Sequence, residues 1–419
     1  MSAPECAVDV PARSQTRDRA LGGVPAGGCG EVIVLSELFP PAIGGSAVLL
    51  GEIYSRLTNV PVRVLTDQTS SAGPLPAQMS HVPVTYRSLA TPHWGLMRPA
   101  GVWHHLRTAS GLFGMTRAHG SVLHCGRVLP EGLWAWMARQ TAGVPYICWS
   151  HGEDASSAWA AREFKALMPR IYNGASAVLA NSRNTARILA DLGVSPSRVT
   201  VVYPGVDTNR FSPVVDGTAI RERHRLDGKC VLLTVARIEH RKGHYLVLQA
   251  LAKLLPAHPH LHYVIVGDGG ERARLETMTD ALGLRRAVTF AGKVADADLP
   301  RYYAACDVFV HPNRVDGTDL EGFGLVFLEA ASTGKPSIGG NSGGVPEAVL
   351  DGETGLLVSG ADVNELTGAI ARLATSPSMA GACGAAGRAR VMREFTWERA
   401  ARQVEAVHLE VVARHRGRA

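Results

Sequence analysis

The sequence has no long apolar segment. Its hydrophobic runs stay well short of the roughly 18 residues that a membrane-spanning helix needs. Residues 1–30 also lack the apolar core of a secretory signal, and they mix Pro, Gly, Ser, Arg and Asp without periodicity. We therefore expect a cytoplasmic protein whose residues 1–30 form a flexible lead-in.

Cysteine is scarce and charge is nearly balanced. The seven cysteines are odd in number, widely scattered and never spaced as C-x-x-C, which argues against a disulfide framework or a zinc knuckle. There are 43 Lys and Arg against 37 Asp and Glu, which gives a net charge of +6. This mild excess suits anionic ligands such as nucleotides or lipid headgroups, or it merely keeps the protein soluble, and it gives no indication of nucleic-acid binding.

Apolar strands and helices alternate along the chain in two successive series. The strands of the first series begin at Glu31 and end near Tyr203, and those of the second begin at Cys230 and end near Val358. This alternation predicts two doubly wound α/β domains with parallel sheets, facing a central cleft. We place the first domain at residues 31–207, the second at residues 208–395, and a last helix at residues 396–419 that returns to the first domain.

A glycine-rich loop follows the first strand. In residues 39–46 (FPPAIGGS), Gly44 and Gly45 precede a helix, where backbone amides can approach an anion closely. The loop is neither the G-x-G-x-x-G fingerprint of a dehydrogenase nor a Walker loop. A tight turn that needs glycine only for its backbone angles explains it equally well.

Two cations lie between a strand and a helix in residues 235–243 (VARIEHRKG). Arg237 and Lys242 are expected to converge on one loop, where a guanidinium and an ammonium would neutralise a diphosphate. The alternative is a pair of solvated cations, although the helix dipole disfavours positive charge at a helix start.

Two carboxylates lie eight residues apart in residues 319–330 (DLEGFGLVFLEA). The pattern predicts a helix over Phe323–Thr333, with Glu321 in the glycine-rich turn before it and Glu329 on the helix. Eight positions along a helix advance about 12 Å, so Glu321 and Glu329 are expected to serve different parts of a long ligand. They are too far apart for the shared acid–base pair of a glycosidase. Glu329 lies among apolar residues and needs hydrogen-bond donors, which sugar hydroxyls would supply unless the side chain faces water.

Taken in order, these segments resemble the retaining glycosyltransferases of family 4, which have the two-domain GT-B fold. The likeness extends from about Glu31 to the last helix and includes residues 204–207 (PGVD), 267–269 (GDG) and 342–347 (SGGVPE). The F-P-P-x-I-G-G loop, the spacing of Arg237 and Lys242, and the D-x-E-G-x-G-x-V-x-L-E-A pattern are most similar to GDP-mannose-dependent phosphatidylinositol mannosyltransferases.

The resemblance implies a role for each matching residue. Arg237 and Lys242 would hold the donor diphosphate, Glu321 would bind hydroxyls of the transferred sugar, and Glu329 would bind the ribose. His151, in residues 149–153 (WSHGE), would touch the sugar near the reacting centre, so that His151, Glu321, Arg237 and Lys242 form the catalytic set. The implied donor-binding residues are Gly44, Gly45, Arg237, Lys242, Val294 (through its backbone), Glu321, Gly322, Phe323, Gly324, Leu325 and Glu329.

The implied reaction moves a hexose, with mannose from GDP-mannose the nearest match, to a hydroxyl of a lipid-linked or glycan acceptor with α configuration. No cofactor or metal is expected, because two cations would neutralise the diphosphate and no Asp-x-Asp triplet ends a predicted strand. The alternatives are a UDP-sugar-dependent transferase for a polysaccharide or small soluble acceptor, and a non-catalytic protein that binds sugar nucleotides.

Acceptor recognition is expected in the first domain. Residues 96–98 (LMR), 103–105 (WHH) and 113–115 (FGM) place apolar and basic side chains together before the strand at Ser121. This pattern suits peripheral contact with an anionic membrane at the inner face of the cell membrane, and it suits an ordinary amphipathic core helix equally well.

Overall fold

The computed structural model describes residues 30–42, 44–67, 75–89, 99–115, 121–157 and 162–417. Over these residues the chain forms two sheets in which every strand pair is parallel, so the predicted doubly wound α/β architecture is confirmed. The predicted lead-in lies outside the described residues, apart from Gly30. Within the described part of the chain, no helix is both long and apolar enough to cross a bilayer.

The first sheet has seven strands in the order β3-β2-β1-β4-β5-β6-β7. These strands are β1 (Val32–Ser36), β2 (Val62–Asp67), β3 (Val84–Arg87), β4 (Val122–Cys125), β5 (Tyr146–Ser150), β6 (Ala177–Ala180) and β7 (Val199–Val201). The helices around them are α1 (Gly45–Tyr54), α2 (Pro99–Met115), α3 (Leu133–Ala142), α4 (Glu153–Ser156), α5 (Arg162–Gly174) and α6 (Arg183–Asp191). Strands β1, β4, β5 and β6 are buried along their whole length, because helices cover both faces of the sheet.

The second sheet has six strands in the order β10-β9-β8-β11-β12-β13. Its strands are β8 (Cys230–Val235), β9 (Leu261–Val266), β10 (Val288–Gly292), β11 (Val308–His311), β12 (Ser337–Gly340) and β13 (Gly355–Val358). Its helices are α7 (Thr218–His224), α8 (His244–Leu254), α9 (Arg272–Ala281), α10 (Leu299–Ala305), α11 (Leu325–Ser332), α12 (Val345–Ala348), α13 (Val363–Thr375) and α14 (Pro377–Glu394). We refer to β1–β7 with α1–α6 as the first domain and to β8–β13 with α7–α14 as the second; the exact division at residues 207/208 stays a prediction.

The last helix, α15 (Trp397–Arg416), returns to the first domain, as the sequence predicts. Its apolar face, including Trp397 and Val404, is buried in the same cluster as residues of β1 and α1. At its start, Glu398 accepts a hydrogen bond from Arg56 at 3.1 Å, and further along Glu405 accepts one from the backbone N–H of Asn59 at 3.1 Å. These contacts join the two ends of the described chain.

Two sequence expectations need correction. Strand β3 was missed, because its half-exposed sequence VTYR at the edge of the sheet lacks a continuous apolar run. The helix expected from Phe323 begins at Leu325, after Gly324 with φ 89°, and Glu321 lies in the turn before it, as predicted. Residues 321–329 do not form one continuous helix, so the distance of about 12 Å taken from the helical rise is wrong, although the two carboxylates do lie on different elements.

The cysteines behave as small buried hydrophobes. All five that the structure describes are free thiols, and four of them, Cys125, Cys148, Cys306 and Cys383, are buried. Burial raises the pKa of each of these thiols, which keeps them protonated and unreactive. Cys6 and Cys29 lie outside the described residues.

Candidate active site

The two sheets meet at the carboxyl ends of their strands. We call residues 321–324 the donor loop, after the role that the family resemblance implies for them. This loop lies between β11 and α11 and touches the end of β5. A Cβ atom on Gly322 would lie 2.1 Å from the carbonyl oxygen of His151, so this position accepts no side chain while the cleft has this geometry. The close contact brings the predicted His151 and Glu321 to the same place from opposite domains.

Glu321 is the centre of a charged cluster. The ammonium of Lys242 forms an ion pair with its Oε2, and Nη1 of Arg241 lies 3.2 Å from the same oxygen. Arg241 also places its Nε 2.7 Å from the carboxylate of Asp319. Burial alone would raise the pKa of Glu321, but Lys242, His311 and Arg241 outweigh it and lower the pKa to about 2. Glu321 is therefore an ionised carboxylate, able to accept hydrogen bonds from hydroxyl groups.

The predicted pair of cations is divided between two environments. Lys242 is 8% exposed and points into the cluster, whereas the Arg237 side chain is 68% exposed and pairs with Glu239 at 2.7 Å. Arg241, which the sequence argument passed over, is the buried guanidinium at 5% exposure. The short 3-10 helix His240–Lys242 turns both inner cations toward Glu321.

His151 lies at the end of β5 and is buried. Its Nε2 donates a hydrogen bond to the carbonyl of Gly126 at 2.9 Å, so the neutral ring carries its proton on Nε2. Burial lowers the pKa of His151 against the opposing effect of Asp154, which keeps the ring neutral. Nδ1 is then the ring atom that can accept a hydrogen bond from a sugar hydroxyl.

Asn181, a residue that the sequence argument missed, supports His151 from the neighbouring strand. It follows β6, and its Nδ2 donates to the carbonyl of His151 at 3.1 Å. The hydroxyl of Thr185 donates to Oδ1 of Asn181 at 2.8 Å and so fixes the orientation of the amide. No local motif marks Asn181; its position after a buried strand was the available signal.

A chain of buried hydrogen bonds lies behind His151. The indole Nε1 of Trp149, whose ring is parallel to that of His151, donates to the hydroxyl of Tyr54 at 3.0 Å. That hydroxyl lies 2.8 Å from Nδ1 of His124, and Nε2 of His124 lies 3.1 Å from Nδ1 of His408 on α15. The polar core of the first domain thus extends from β5 to the returning helix.

Two helices begin opposite each other across the cleft. Gly45 is the first residue of α1, and Leu325 is the first residue of α11; a Cβ atom on Gly45 would lie 3.7 Å from Cδ1 of Leu325. Gly44 and Gly324 precede these helices with φ values of 152° and 89°, which L side chains rarely adopt. Two helix N-termini that face one cleft, with Lys242 nearby, favour binding of an anion.

Glu329 lies apart from this cluster, on the second turn of α11. The hydroxyl of Tyr303 donates to its Oε2 at 2.6 Å, which supplies one of the donors that the sequence argument required. Burial raises the pKa of Glu329, and Tyr303 and Arg210 oppose this effect.

Val294 lies beyond the end of β10 and packs, partly buried, against the core of the second domain.

Comparison with known proteins agrees with this geometry. Residues 43–210 match the model for Glycosyltransferase Family 4, and residues 216–390 match that for Glycosyl transferases group 1. The chain is 35% identical over 285 residues to the GDP-mannose-dependent alpha-(1-6)-phosphatidylinositol monomannoside mannosyltransferase of Mycolicibacterium smegmatis, an alignment that covers 67% of this chain and 74% of that protein. With the enzyme of the same name from Mycobacterium tuberculosis the identity is 30%, over 88% of this chain and 95% of the relative.

One further relative and one solved structure are also similar to this chain. The chain is 31% identical to the D-inositol 3-phosphate glycosyltransferase of Thermomonospora curvata, over 85% of this chain and 88% of that protein. Its structure is similar to that of the sucrose-phosphate synthase of Thermosynechococcus elongatus, with a TM-score of 0.77 and 25% identity over 92% of this chain and 100% of the other. The chain is therefore a glycosyltransferase that belongs to family 4 and has the GT-B fold.

Proposed function

We propose that this protein transfers mannose from GDP-mannose to a hydroxyl of a phosphatidylinositol-type lipid, with retention of the α configuration. The proposal rests on the similarity to two mycobacterial enzymes, with 35% and 30% identity. Both are named GDP-mannose-dependent mannosyltransferases for phosphatidylinositol monomannoside. The charged cluster at Glu321 and the paired helix N-termini provide a site with the chemistry that a sugar nucleotide requires.

The donor diphosphate would lie between the starts of α1 and α11. There the amides after Gly44 and Gly324 and the ammonium of Lys242 would surround its oxygens, and Arg237 at the rim would fold onto it. Positive groups at this point stabilise the charge that develops on the leaving diphosphate as the glycosidic bond breaks. With Lys242 and Arg237 in this role, we expect activity in the presence of a chelator and without a cofactor.

The transferred sugar would lie between His151 and Glu321. The ionised carboxylate of Glu321 accepts hydrogen bonds from sugar hydroxyls, and Nδ1 of His151 accepts one near the reacting carbon. Glu329 would accept hydrogen bonds from the ribose, and the backbone of Val294 would contact the base. These contacts orient the donor and leave one face of the anomeric carbon open to the first domain.

The reaction itself would be a front-face substitution. The acceptor hydroxyl attacks the anomeric carbon from the side on which the diphosphate leaves, and its proton passes to a diphosphate oxygen. The bond from the anomeric carbon to the leaving oxygen breaks, and the bond to the acceptor oxygen forms on the same face. This route needs no nucleophile from the protein, and its catalysis is orientation together with charge stabilisation.

The test is a matrix of donors and acceptors. Radiolabelled GDP-mannose is incubated with EDTA and with vesicles that contain phosphatidylinositol or phosphatidylinositol monomannoside, and the label is measured in the lipid extract. GDP and GDP-mannose should also raise the melting temperature. Ligand at 100 times its dissociation constant stabilises the folded state by about 2.7 kcal/mol, a clear shift. If label from GDP-mannose never enters lipid while another donor does transfer, the donor assignment is wrong.

A second candidate is transfer from a UDP-sugar to a small water-soluble acceptor. The observation that favours it is the similarity to the enzyme named D-inositol 3-phosphate glycosyltransferase, at 31% identity. In the same matrix, inositol 3-phosphate with UDP-sugars forms the second arm. Product in that arm alone would support this second candidate, and the proposed positions of the diphosphate and the sugar would stay the same.

We further propose that the enzyme acts at the cytoplasmic surface of a membrane, through the exposed face of α2. Trp103 is 69% exposed there and Leu106 is 48% exposed, next to the exposed Arg107. Residues 96–98 of the expected patch lie outside the described residues, and the side chains at 113–115 are not described. An exposed tryptophan beside a cation suits the interface of an anionic membrane.

Vesicle flotation tests this contact. The double variant Trp103→Ser and Leu106→Ser should lose flotation with anionic vesicles, whereas Val214→Ser should retain it. Val214 is the matched control because it is 90% exposed and lies away from α2, just before α7. Equal flotation of both variants, or no flotation of the unaltered protein, would rule out this face as the membrane contact.

A further inference from the structure

The segment 342–347 (SGGVPE) lies directly against the donor loop. The backbone N–H of Gly344 donates to the carbonyl of Glu321 at 2.9 Å. A Cβ atom on Gly343 would lie 2.1 Å from the same carbonyl oxygen, and one on Gly344 would lie 2.1 Å from that of Gly322. This segment and the donor loop therefore move as one body.

The segment ends in a carboxylate that reaches the other domain. Oε2 of Glu347 accepts a hydrogen bond from the backbone N–H of Arg183 at 2.7 Å, and Oε1 accepts one from that of Asn184 at 2.8 Å. The hydroxyl of Tyr203, after β7, also donates to Oε2 at 2.9 Å. We call these three bonds the Glu347 contact.

The Glu347 contact supplies partners for two backbone N–H groups at the start of α6. The first four N–H groups of a helix have no partner within the helix. In α6 these are the N–H groups of residues 182–185, and the side chain of Ser182 accepts a hydrogen bond from that of Thr185 at 3.0 Å. Two more, those of Arg183 and Asn184, donate to a carboxylate from the second domain, where the helix dipole favours a negative charge.

The backbone at Glu347 is bonded to the last long helix of the second domain. The guanidinium of Arg390, on α14, donates to the carbonyls of Glu347 at 2.7 Å and Ala348 at 3.1 Å. On the other side, the ring of Tyr203 packs at 5.5 Å from that of Phe323 in the donor loop. Tyr203 therefore contacts the second domain through its ring as well as through its hydroxyl.

We propose that Glu347 is a positioning residue that holds the two domains together around the cleft and so keeps His151 against the donor loop. Because the donor loop rests on the segment 342–347, separation at α6 would withdraw Glu321 from His151. The proposal rests on the proposed function for its kinetic readout. The scattering readout does not depend on that function.

The experiment compares Glu347→Gln with Glu365→Gln. Glu365 is the matched control, since its carboxylate also bonds to a backbone N–H, that of Ser359 at 2.7 Å, but within the second domain. Small-angle X-ray scattering of the nucleotide-free full chain should give a larger radius of gyration for Glu347→Gln and an unchanged one for Glu365→Gln. Tyr203→Phe removes one of the three bonds and should give an intermediate value.

Kinetics provide the second readout. Turnover of Glu347→Gln should fall at least about ten-fold, because one hydrogen bond to a charged group shifts an equilibrium by about that factor. The affinity for GDP should fall less than turnover does, since Arg237, Lys242 and Glu329 stay together on the second domain and only the amides at the start of α1 would be withdrawn. A residue needed merely for the stability of α6 would lower the unfolding midpoint without changing the scattering.

An unchanged radius of gyration in Glu347→Gln would overturn the proposal, whatever its turnover. If the scattering changes as expected but the unaltered protein transfers no mannose, the proposed donor is wrong and the Glu347 contact stands. If scattering changes and turnover does not, the contact joins the domains but has no positioning role, which also overturns the proposal.

Discussion

The hydrogen-bond chain behind His151 has a fixed direction, because it starts at a group that can donate but not accept. The indole N–H of Trp149 donates to the hydroxyl of Tyr54, so this hydroxyl directs its own proton to Nδ1 of His124. A neutral His124 then carries its proton on Nε2 and donates it to Nδ1 of His408. Burial lowers the pKa of His124 well below its usual value, which agrees with the neutral ring that this direction requires.

Replacement of Tyr54 by Phe breaks this chain at its centre. It leaves two buried groups without their partner, the indole N–H of Trp149 and Nδ1 of His124, and all three residues are 0% exposed. Each unsatisfied buried group costs about 1–3 kcal/mol, so Tyr54→Phe should lower the free energy of unfolding by about 2–6 kcal/mol. A domain has about 5–15 kcal/mol in total, so the loss is a large part of its stability.

Urea unfolding followed by tryptophan fluorescence and circular dichroism measures this loss. Tyr302→Phe is the matched control, because its hydroxyl pairs at 3.1 Å with His224, a partly exposed residue that water can reach. The control should cost less than about 1 kcal/mol. If Tyr54→Phe costs no more than Tyr302→Phe, the two buried groups find other partners and the argument from direction fails.

Three further predictions concern charge. Lys242→Ala and Arg237→Ala should each lower turnover at least about ten-fold, with an unchanged circular dichroism spectrum. The control Lys253→Ala removes an exposed lysine and should leave turnover unchanged. Near-normal kinetics in both of the first two variants would remove the diphosphate assignment. Burial raises the pKa of Glu131 from 4.5 to about 8, so between pH 4.5 and about 8 this carboxyl is protonated in the folded state and ionised in the unfolded state. The free energy of unfolding should therefore fall as pH rises through this range, by up to about 1.4 kcal/mol per pH unit. Urea unfolding of Glu131→Gln should show a flatter slope there, and an equal slope would contradict the assignment. Burial opposes ionisation of Glu321, but Lys242 and its neighbours lower the pKa of this carboxyl to about 2. The ionised carboxylate should therefore stabilise the folded state above pH 4.5, and this stabilisation should be lost as pH falls toward 2. Glu321→Gln should not show this loss in an acid titration.

Most of the fold could be predicted from the sequence because its strands are buried on both faces. A strand such as β5 (YICWS) is a continuous apolar run, and that pattern indicates a parallel sheet covered by helices. Strand β3 carries no such signal, since it pairs with β2 alone and its outer side is exposed. The start of α11 was misplaced because Phe323 extends the apolar pattern, whereas the positive φ of Gly324 prevents the helix from including it.

The candidate site was predicted in its chemistry and less well in its geometry. The segment 235–243 contains Arg237 and Arg241, and nothing in their local sequence decides which guanidinium turns inward. The structure decides it through Asp319 and Glu321, which lie about 80 residues further along and pair with Arg241. A buried cation requires a carboxylate partner, so the partners of Arg241 can be identified once β8 and β11, which precede the two segments, are placed side by side.

The residues with the weakest sequence signal are those that join the domains. Gly322 is the clearest case, since its neighbour in space is the carbonyl of His151, which comes from the other sheet. A Cβ atom at this position would push the donor loop away from β5, and the same displacement would break the bonds from Glu347 to α6. Substrate-binding side chains can be recognised by their charge, but the contacts that bring them to one substrate are backbone contacts between distant segments. For this enzyme the distance between His151 and Glu321 is therefore a property of the domain interface, and variants there should change turnover without removing any group that touches the substrate.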